Sequence, residues 1–413
     1  MSLPLVVLIL VFLGIALRQL FRIPIRIWHI MGLGACLVLL TGRISFISAW
    51  HSIDWGIIGF LFGMFVVGQA LEESGYLSEI VAKFMLHGGT TPRLVALIVF
   101  GLGLLSAVLM NDTLAIMGTP ILLCVAHRRG LPSHPLLLGL AFAITIGSVM
   151  SPIGNPQNLL IALSASIKNP FVTFLAYLAV PTLLSLIVLY FWILKTIKPV
   201  SGFDDPPHAS EPYNRRLMLF CRIALLTIIS LIGLNIVFSL LGVDFSIPLP
   251  AIALIPALFL LIFAPKRREV LLGLDWHTLI FFIAMFILMQ SVWETSSIQA
   301  VLSHISFLSD STGGILSVGI LASQLISNVP LVALYLPTLE SLSQSNGFYM
   351  ALAAGSTLAG NLLIFGAASN LIIIQNAEKR GEKGIDFFEF AKHGIPLTFI
   401  TFLIYWGYLA LLT

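Results

Sequence analysis

Charged residues are scarce in this chain: of its 413 residues, 9% are charged and 58% are hydrophobic. A soluble globular protein carries about 25% charged residues. A soluble multidomain protein is therefore excluded, because so few charges could not cover its surface. Basic runs with interleaved aromatic residues are also missing outside short loops, which argues against a nucleic-acid partner. We expect an all-α polytopic protein whose main partner is the lipid bilayer.

Metal-ligating and catalytic patterns are scarce as well. The three cysteines lie far apart and form no CxxC pair, so neither a disulfide framework nor a cysteine metal site is expected (Cys36, Cys124 and Cys221). No histidines pair at ligand spacing, and no HExxH motif or nucleotide-binding loop occurs. We therefore predict no metal, no cofactor and no enzymatic activity. Energy for any transport would come from an ion gradient or from a separate ATPase subunit.

Long hydrophobic runs are abundant. A helix needs about 20 apolar residues to cross a bilayer, and ten runs qualify: 4–21, 27–45, 54–72, 135–162, 170–194, 217–241, 247–265, 275–293, 348–377 and 390–412. Two further stretches, 93–126 and 312–345, are interrupted by polar residues near their middle. Because each arm is short for a crossing, we predict two re-entrant helical hairpins. The runs 135–162 and 348–377 contain helix-breaking segments and are predicted to be broken helices.

Basic residues orient this layout. With ten crossings and two hairpins, five basic clusters fall on one side of the membrane, at Arg18–Arg26, Arg128–Arg129, Lys195–Arg216, Lys266–Arg268 and Lys379–Lys383. The positive-inside rule makes that side the cytoplasm. We predict a multi-pass protein of the inner cell membrane with both termini outside.

The two halves of the chain resemble each other. Asp54-Trp55 recurs as Asp275-Trp276, and the matches continue in order as Ser106 with Ser323, Asn111 with Asn328, Gly154 with Gly366 and Asn158 with Asn370. Each half has five crossings and a hairpin, and an odd number of crossings inverts the second half. We predict repeats at 1–200 and 217–413, joined by a cytoplasmic linker at 201–216. Inverted repeats are typical of secondary transporters, whose site lies where broken helices meet.

Polar residues concentrate at the four predicted interruptions. Unwound backbone at membrane depth is tolerated only when it is buried in protein or lines a cavity. Asparagine, serine and threonine there need partners, and the following helix N-termini offer N–H groups to oxyanions or hydroxyls. Candidate substrate-binding residues are Asn111, Thr113, Asn155, Asn158, Ser327, Asn328, Ser369 and Asn370. The alternative is that these side chains only hold helices together.

Asp112 is the acidic residue among them. A carboxylate at this depth is costly and indicates function. Its repeat mate is Val329, so the halves differ here. We consider two roles, a proton carrier or a ligand of sodium, beside the alternative that it caps the second hairpin arm.

These motifs resemble a known family. Asn111-Asp112-Thr113, Ser151–Asn158 and Ser327–Pro330 are similar to segments of the ArsB/NhaD branch of the ion transporter superfamily, which includes arsenite permeases. The resemblance implies two inverted repeats, a homodimer, and a mobile transport domain beside a static scaffold. Sodium-coupled symporters of that superfamily carry Ser-Asn-Thr at both hairpin tips, which this chain lacks.

Three transport functions remain in competition. An added carboxylate would repel a dianion but suits a neutral hydroxide, so we expect proton-coupled efflux of arsenite or antimonite by alternating access. The alternatives are a Na⁺/H⁺ antiporter and an importer of a small inorganic or carboxylate anion.

Overall fold

The computed structural model describes residues 2–21, 25–76, 79, 90–164, 167–197, 214–243, 245–295, 311–341 and 345–413. This part of the chain is helical, without strands. Its helices are α1 (Leu3–Phe21), α2 (Ile27–Leu40), α3 (Phe46–Ser52), α4 (Trp55–Ser74), α5 (Thr91–Leu105), α6 (Asn111–Arg129), α7 (Ser133–Ser148), α8 (Pro156–Ser164), α9 (Pro170–Thr196), α10 (Arg215–Leu240), α11 (Leu249–Phe263), α12 (Arg267–Gly273), α13 (Trp276–Trp293), α14 (Thr312–Ile326), α15 (Asn328–Ser341), α16 (Asn346–Leu362), α17 (Ala368–Glu378) and α18 (Phe387–Leu412).

Five of the described helices are long and apolar enough to cross a membrane: α4, α9, α10, α13 and α18. The predicted all-helical polytopic class is confirmed. The run 27–45 is shorter than predicted, because the helix stops at Leu40 and Gly42 turns the chain with a φ of +66°. Of the predicted linker 201–216, residues 201–213 lie outside the described residues, and α10 begins at Arg215. The repeat boundaries stay predictions.

Two helical hairpins occupy the positions expected from the polar interruptions. The first hairpin consists of α5 and α6, with its tip at 106–110, and α5 contains a π-helical segment at Leu97–Leu102. The second hairpin consists of α14 and α15, and Ser327 alone separates its arms. Each tip places the start of its second arm at the polar motif, at Asn111 in one case and Asn328 in the other.

Two long helices are interrupted. The first break (149–155) separates α7 from α8, and its proline and glycine residues cannot continue the helix of α7. The second break (363–367) separates α16 from α17 and includes a short 3₁₀ turn at Ile364–Gly366. A side chain on Gly154 or Gly366 would collide with the end of the preceding helix, at Ser148 and Ala359 respectively. Both glycines therefore permit the chain to fold back closely.

The sequence repeat is also visible at the helix starts. Asp54 Oδ1 accepts a hydrogen bond of 3.0 Å from the N–H of Ile57 at the start of α4. Asp275 Oδ1 accepts one of 3.2 Å from the N–H of Thr278 at the start of α13. Both aspartates are N-caps, and each satisfies an N–H group that the first helical turn leaves without a partner.

The helices form two groups. In the outer group, α4 packs along α11 and α2 packs along α13. In the central group, α7 packs against α16, so the two interrupted helices meet directly. The hairpins cross between the halves, because α6 lies against α17 and α15 lies against α8. Each second hairpin arm therefore supports the short helix that follows the break in the other half, which brings all four interruptions into the same region.

Candidate functional site

The first break is closed by a single asparagine. The two N–H bonds of Asn158 Nδ2 are shared among three carbonyl oxygens, of Ser148 at 3.1 Å, Val149 at 3.2 Å and Ser151 at 3.0 Å. Ser148 ends α7, Val149 is its C-cap and Ser151 lies in the break, so no continuing helix donates to these carbonyls. Asn158 is fully buried. Its amide therefore satisfies the broken end of the helix and holds α8 against it.

Thr357 of α16 joins the first break to the other half of the chain. Its Oγ1 accepts hydrogen bonds from Asn155 Nδ2 at 3.2 Å and Gln157 Nε2 at 3.4 Å, and it donates to Asn158 Oδ1 at 3.2 Å. Asn155 also donates to Ser148 Oγ at 3.1 Å, and its Oδ1 accepts from the N–H of Asn158. The polar side chains of the first break are thus bonded to one another and to Thr357.

The second break repeats one of these bonds. Asn370 Nδ2 donates to the carbonyl of Gly360 at 2.7 Å. Both atoms lie 212 residues beyond Asn158 and Ser148, so the same hydrogen bond occurs at the same position in each half. The remaining polar atoms differ from the first break, because Asn370 Oδ1 and Ser369 Oγ are buried without a hydrogen-bond partner.

The tip of the first hairpin is attached to the first break. The N–H of Asn111 donates to the carbonyl of Gly154 at 3.2 Å, and Asn111 Oδ1 accepts from the N–H of Asp112 at 3.0 Å. Thr113 faces α4, where a Cβ on Gly68 would lie 2.8 Å from its Oγ1. The absence of a side chain at Gly68 thus lets α4 approach the hairpin tip.

Asp112 lies in the first turn of α6, partly buried. The N-cap of α6 is Met110, and the Asp112 carboxylate accepts no N–H of the first turn, so the capping alternative for Asp112 does not describe this geometry. Among the described residues, no hydrogen-bond donor or cation bonds its carboxylate. The hairpin tips and breaks contain no lysine or arginine either (106–113, 149–158, 323–330 and 360–370). The site is therefore built from neutral amides and hydroxyls around one acid.

The tip of the second hairpin is held in an unusual conformation. Ser327 has a φ of +76° and a ψ of 152°, a region that favours glycine and costs of order 1–3 kcal/mol for other residues. Asn328 Oδ1 is buried without a hydrogen-bond partner. Strain of this kind persists where the surrounding structure enforces it, and it concentrates at ligand-binding positions.

A second polar cluster lies at the predicted cytoplasmic ends of α6 and α7. His127 Nε2 is 2.9 Å from Glu382, and His134 Nδ1 is 2.9 Å from Glu389. These residues line a cavity of about 620 Å³ together with Ala126, Leu131, Pro132, Ser133, Pro135 and Thr196. The cavity is separate from the breaks. In the described part of the chain, no three His, Cys, Asp or Glu side chains are placed to ligate a metal ion.

The structure adds residues that the sequence reasoning missed. Thr357 and Ser148 bond the predicted asparagines directly, and Gln324 Nε2 donates to the carbonyl of Ala359 beside the second break at 2.8 Å. The internal sequence repeat does point to Thr357. At the offset of 212 residues that pairs Gly154 with Gly366, Thr357 pairs with Thr145.

Two interrupted helices that meet between re-entrant hairpins, in an apolar all-helical chain, define a membrane transporter. Comparison with known families agrees. The model of the CitMHS family, described as a citrate transporter, matches residues 6–349. The chain therefore belongs to the CitMHS citrate transporter family. The ArsB/NhaD branch, which the motifs resemble, stays a prediction.

Curated relatives cover nearly the whole chain. An uncharacterized transporter of Mycobacterium tuberculosis, Rv2685, is 26% identical over 381 residues, which is 87% of this chain and 86% of the relative. The inner membrane protein YbiR of Escherichia coli is 29% identical over 337 residues, covering 81% and 83%. The silicon efflux transporter LSI3 of Oryza sativa subsp. japonica is 28% identical over 443 residues, covering 89% of each chain.

Proposed function

We propose that this transporter exports a small uncharged oxyacid, arsenite or antimonite, in exchange for protons. The observation that carries the proposal is the Asp112 carboxylate, which no described donor or cation bonds, in a site whose other polar groups are neutral. Arsenous acid is uncharged at neutral pH and presents only hydroxyl groups. A site of amides and hydroxyls can bind it without a cationic side chain. The silicon efflux activity named for the rice relative supports the same class of substrate, because silicic acid is also a neutral hydroxide.

Asp112 would couple the two fluxes. Transfer of a carboxylate into a low-dielectric site favours its neutral form, so the hairpins and broken helices would cross more readily with Asp112 protonated. A proton taken up outside and released inside would return the site to the cytoplasmic side for the next substrate. The hairpins and broken helices pack on one another and would move as one body.

Citrate import is the competing function, favoured by the description of the matching family model. A tricarboxylate would bring negative charges beside Asp112 with no lysine or arginine in the tips and breaks to balance them. Sodium–proton antiport is the other alternative, with Asp112 and neighbouring amides holding the ion.

The test is uptake into everted membrane vesicles from a host that lacks its own arsenite exporter. We expect arsenite accumulation that requires an imposed proton gradient and is lost when a protonophore collapses it. Asp112→Asn should reduce coupled accumulation to background while the protein still assembles, because the amide cannot carry a proton.

The matched control is Asp54→Asn, an isosteric change at an N-cap outside the site, where asparagine caps a helix as well as aspartate does. It should retain uptake. Gradient-coupled arsenite uptake by Asp112→Asn would refute the coupling role. Proton release driven by sodium would instead support sodium–proton antiport. Citrate uptake without arsenite uptake would instead support citrate import.

A further inference from the structure

The two breaks differ in how well their polar atoms are satisfied. Three pairs of repeat mates are informative: Ser106 with Ser323, Asn158 with Asn370, and Thr357 with Thr145. In the first pair, Ser106 Oγ donates to the carbonyl of Gly103 at 2.6 Å, whereas Ser323 Oγ is buried without a partner.

The other two pairs show the same difference. Thr357 Oγ1 and Asn158 Oδ1 bond each other at 3.2 Å in the first break. Their mates, Thr145 Oγ1 and Asn370 Oδ1, are both buried and neither has a partner. The threonine–asparagine hydrogen bond of the first break therefore has no counterpart in the second break.

The unsatisfied atoms gather around the end of α16. Asn370 bonds the carbonyl of Gly360, and a Cβ on Gly360 would lie 3.2 Å from Thr145 Cγ2. Gln324 bonds the carbonyl of the preceding Ala359. We define the second-break cluster as the unpartnered polar atoms Thr145 Oγ1, Ser323 Oγ, Gln324 Oε1, Asn361 Oδ1 and Nδ2, Ser369 Oγ and Asn370 Oδ1.

Such a concentration of unsatisfied buried atoms requires an explanation. The large majority of buried polar side-chain atoms in proteins are hydrogen-bonded, and each unsatisfied one is costly. Thr145, Ser369 and Asn370 are at most 1% exposed. The mates of Thr145, Ser323 and Asn370 are hydrogen-bonded within the protein, so the fold can satisfy such atoms internally. The second break thus retains hydrogen-bonding capacity that a bound molecule can use.

We infer that the second-break cluster, and not the first break, binds the hydroxyl groups of a neutral oxyacid. The inference rests on the proposed function and narrows it. The three amide oxygens of the cluster can only accept hydrogen bonds, so the ligand must donate them. Its own oxygens can accept from the three hydroxyls and from the N–H groups at the start of α17. An oxyanion without hydroxyl hydrogens would leave the amide oxygens unpaired.

The helix that follows the second break packs against the helix that carries the coupling acid. These helices are α17, which begins at the second break, and α6, which carries Asp112 in its first turn. A ligand held by Ser369 and Asn370 would therefore rest on the helix that supports the first hairpin. The first break, saturated by Thr357, serves as the rigid support.

A matched pair of substitutions tests the inference without transport. Thr145→Val and Thr357→Val make the same isosteric change at mate positions. Thr357→Val removes three hydrogen bonds and leaves the buried Asn158 Oδ1 without its donor, so the melting temperature of the purified protein should fall by several degrees. Thr145→Val removes a hydroxyl that has no partner, so the melting temperature should be unchanged or higher. An equal fall in both variants would overturn the inference.

Ligand binding gives the second readout. Arsenite and silicic acid should raise the melting temperature of the wild type and of Thr357→Val, but not of Thr145→Val. For arsenite uptake, Thr145→Val should increase KM by about tenfold, the loss expected for one hydrogen bond of about 1.4 kcal/mol. Asp54→Asn, at an N-cap outside both breaks, should keep the wild-type KM.

The outcomes separate the two proposals. If arsenite is transported with a wild-type KM in Thr145→Val, the cluster holds only water and the inference fails while the proposed function stands. If neither oxyacid is bound nor transported, the proposed function fails, whatever the melting temperatures show. Stabilisation by sodium that requires Thr145 would overturn the neutral-oxyacid assignment in favour of a cation site.

Discussion

At the scale of single residues, close helix contacts depend on glycine. Gly147 in α7 lies directly on the carbonyl of Gly103 in the first hairpin, and Gly319 in α14 approaches Gly355 in α16, where a Cβ would lie 2.9 Å from backbone atoms. Small residues let helix backbones approach closely in a membrane, where packing replaces the hydrophobic effect as the driving force. These contacts place the hairpins against the breaks.

Gly147→Ala should destabilise the protein, because the new methyl group would collide with backbone that cannot rotate away. We expect a cost of about 1–3 kcal/mol, the usual range for overpacking, visible as lower yield and a lower melting temperature in detergent. Gly233→Ala is the control, since nothing lies within 4 Å of a Cβ there and the residue is within α10. A wild-type melting temperature for Gly147→Ala would contradict the close contact.

At the scale of elements, the two interrupted helices have unequal ends. Asn158 donates to three carbonyls at the end of α7 and in the first break, whereas Asn370 donates to one carbonyl of α16. A buried carbonyl that loses its donor costs about 1–3 kcal/mol. The first break should therefore depend far more on its asparagine than the second break does.

Asn158→Ala should lower the free energy of unfolding by at least about 2 kcal/mol more than Asn370→Ala does. Chemical denaturation of the two purified variants under the same conditions measures the difference. Asn370→Ala should instead show its main effect on substrate affinity. Equal destabilisation by both substitutions would mean that the second break is as saturated as the first.

At the scale of the whole molecule, one face of the outer helices is apolar and exposed. Only 11% of the most hydrophobic stretch of α10 is buried within the protein, as expected for a helix that faces lipid. The basic clusters at Lys266–Arg268 and Lys379–Arg380 lie beyond the ends of α11 and α17. Together with the positive-inside rule, they predict which side faces the cytoplasm.

Both termini should therefore be extracellular or periplasmic. A reporter enzyme that is active only outside the cytoplasm, fused after Thr413, should be active, and a fluorescent protein that matures only in the cytoplasm should be dark there. The same reporters placed in the linker 201–216 should show the opposite pattern. Cytoplasmic signals from the C-terminal fusion would reverse the predicted orientation.

Much of the architecture could be predicted because local chemistry determines it. Polar residues inside apolar runs marked both hairpin tips, and Pro152, Gly154 and Pro156 marked the first break, since neither residue type supports a helix interior. The pairing of Asn158 with Asn370 followed from the repeat, and both now have the same hydrogen bond. The hydrogen-bond partners of these asparagines were harder to predict, because no sequence motif distinguishes Thr357 from the other residues of its helix.

Composition and residue order alone determined a polytopic helical membrane protein, its interruptions and the asparagines and aspartate that occupy them. Hydrophobicity and helix propensity depend on the type of each residue and its near neighbours, so both can be predicted from the sequence. The tertiary structure decided which polar groups have hydrogen-bond partners and which have none. That outcome depends on distances between helices from different halves of the chain. Thr357 reaches the first break and Thr145 does not reach Asn370, although both threonines stand at equivalent positions in the sequence.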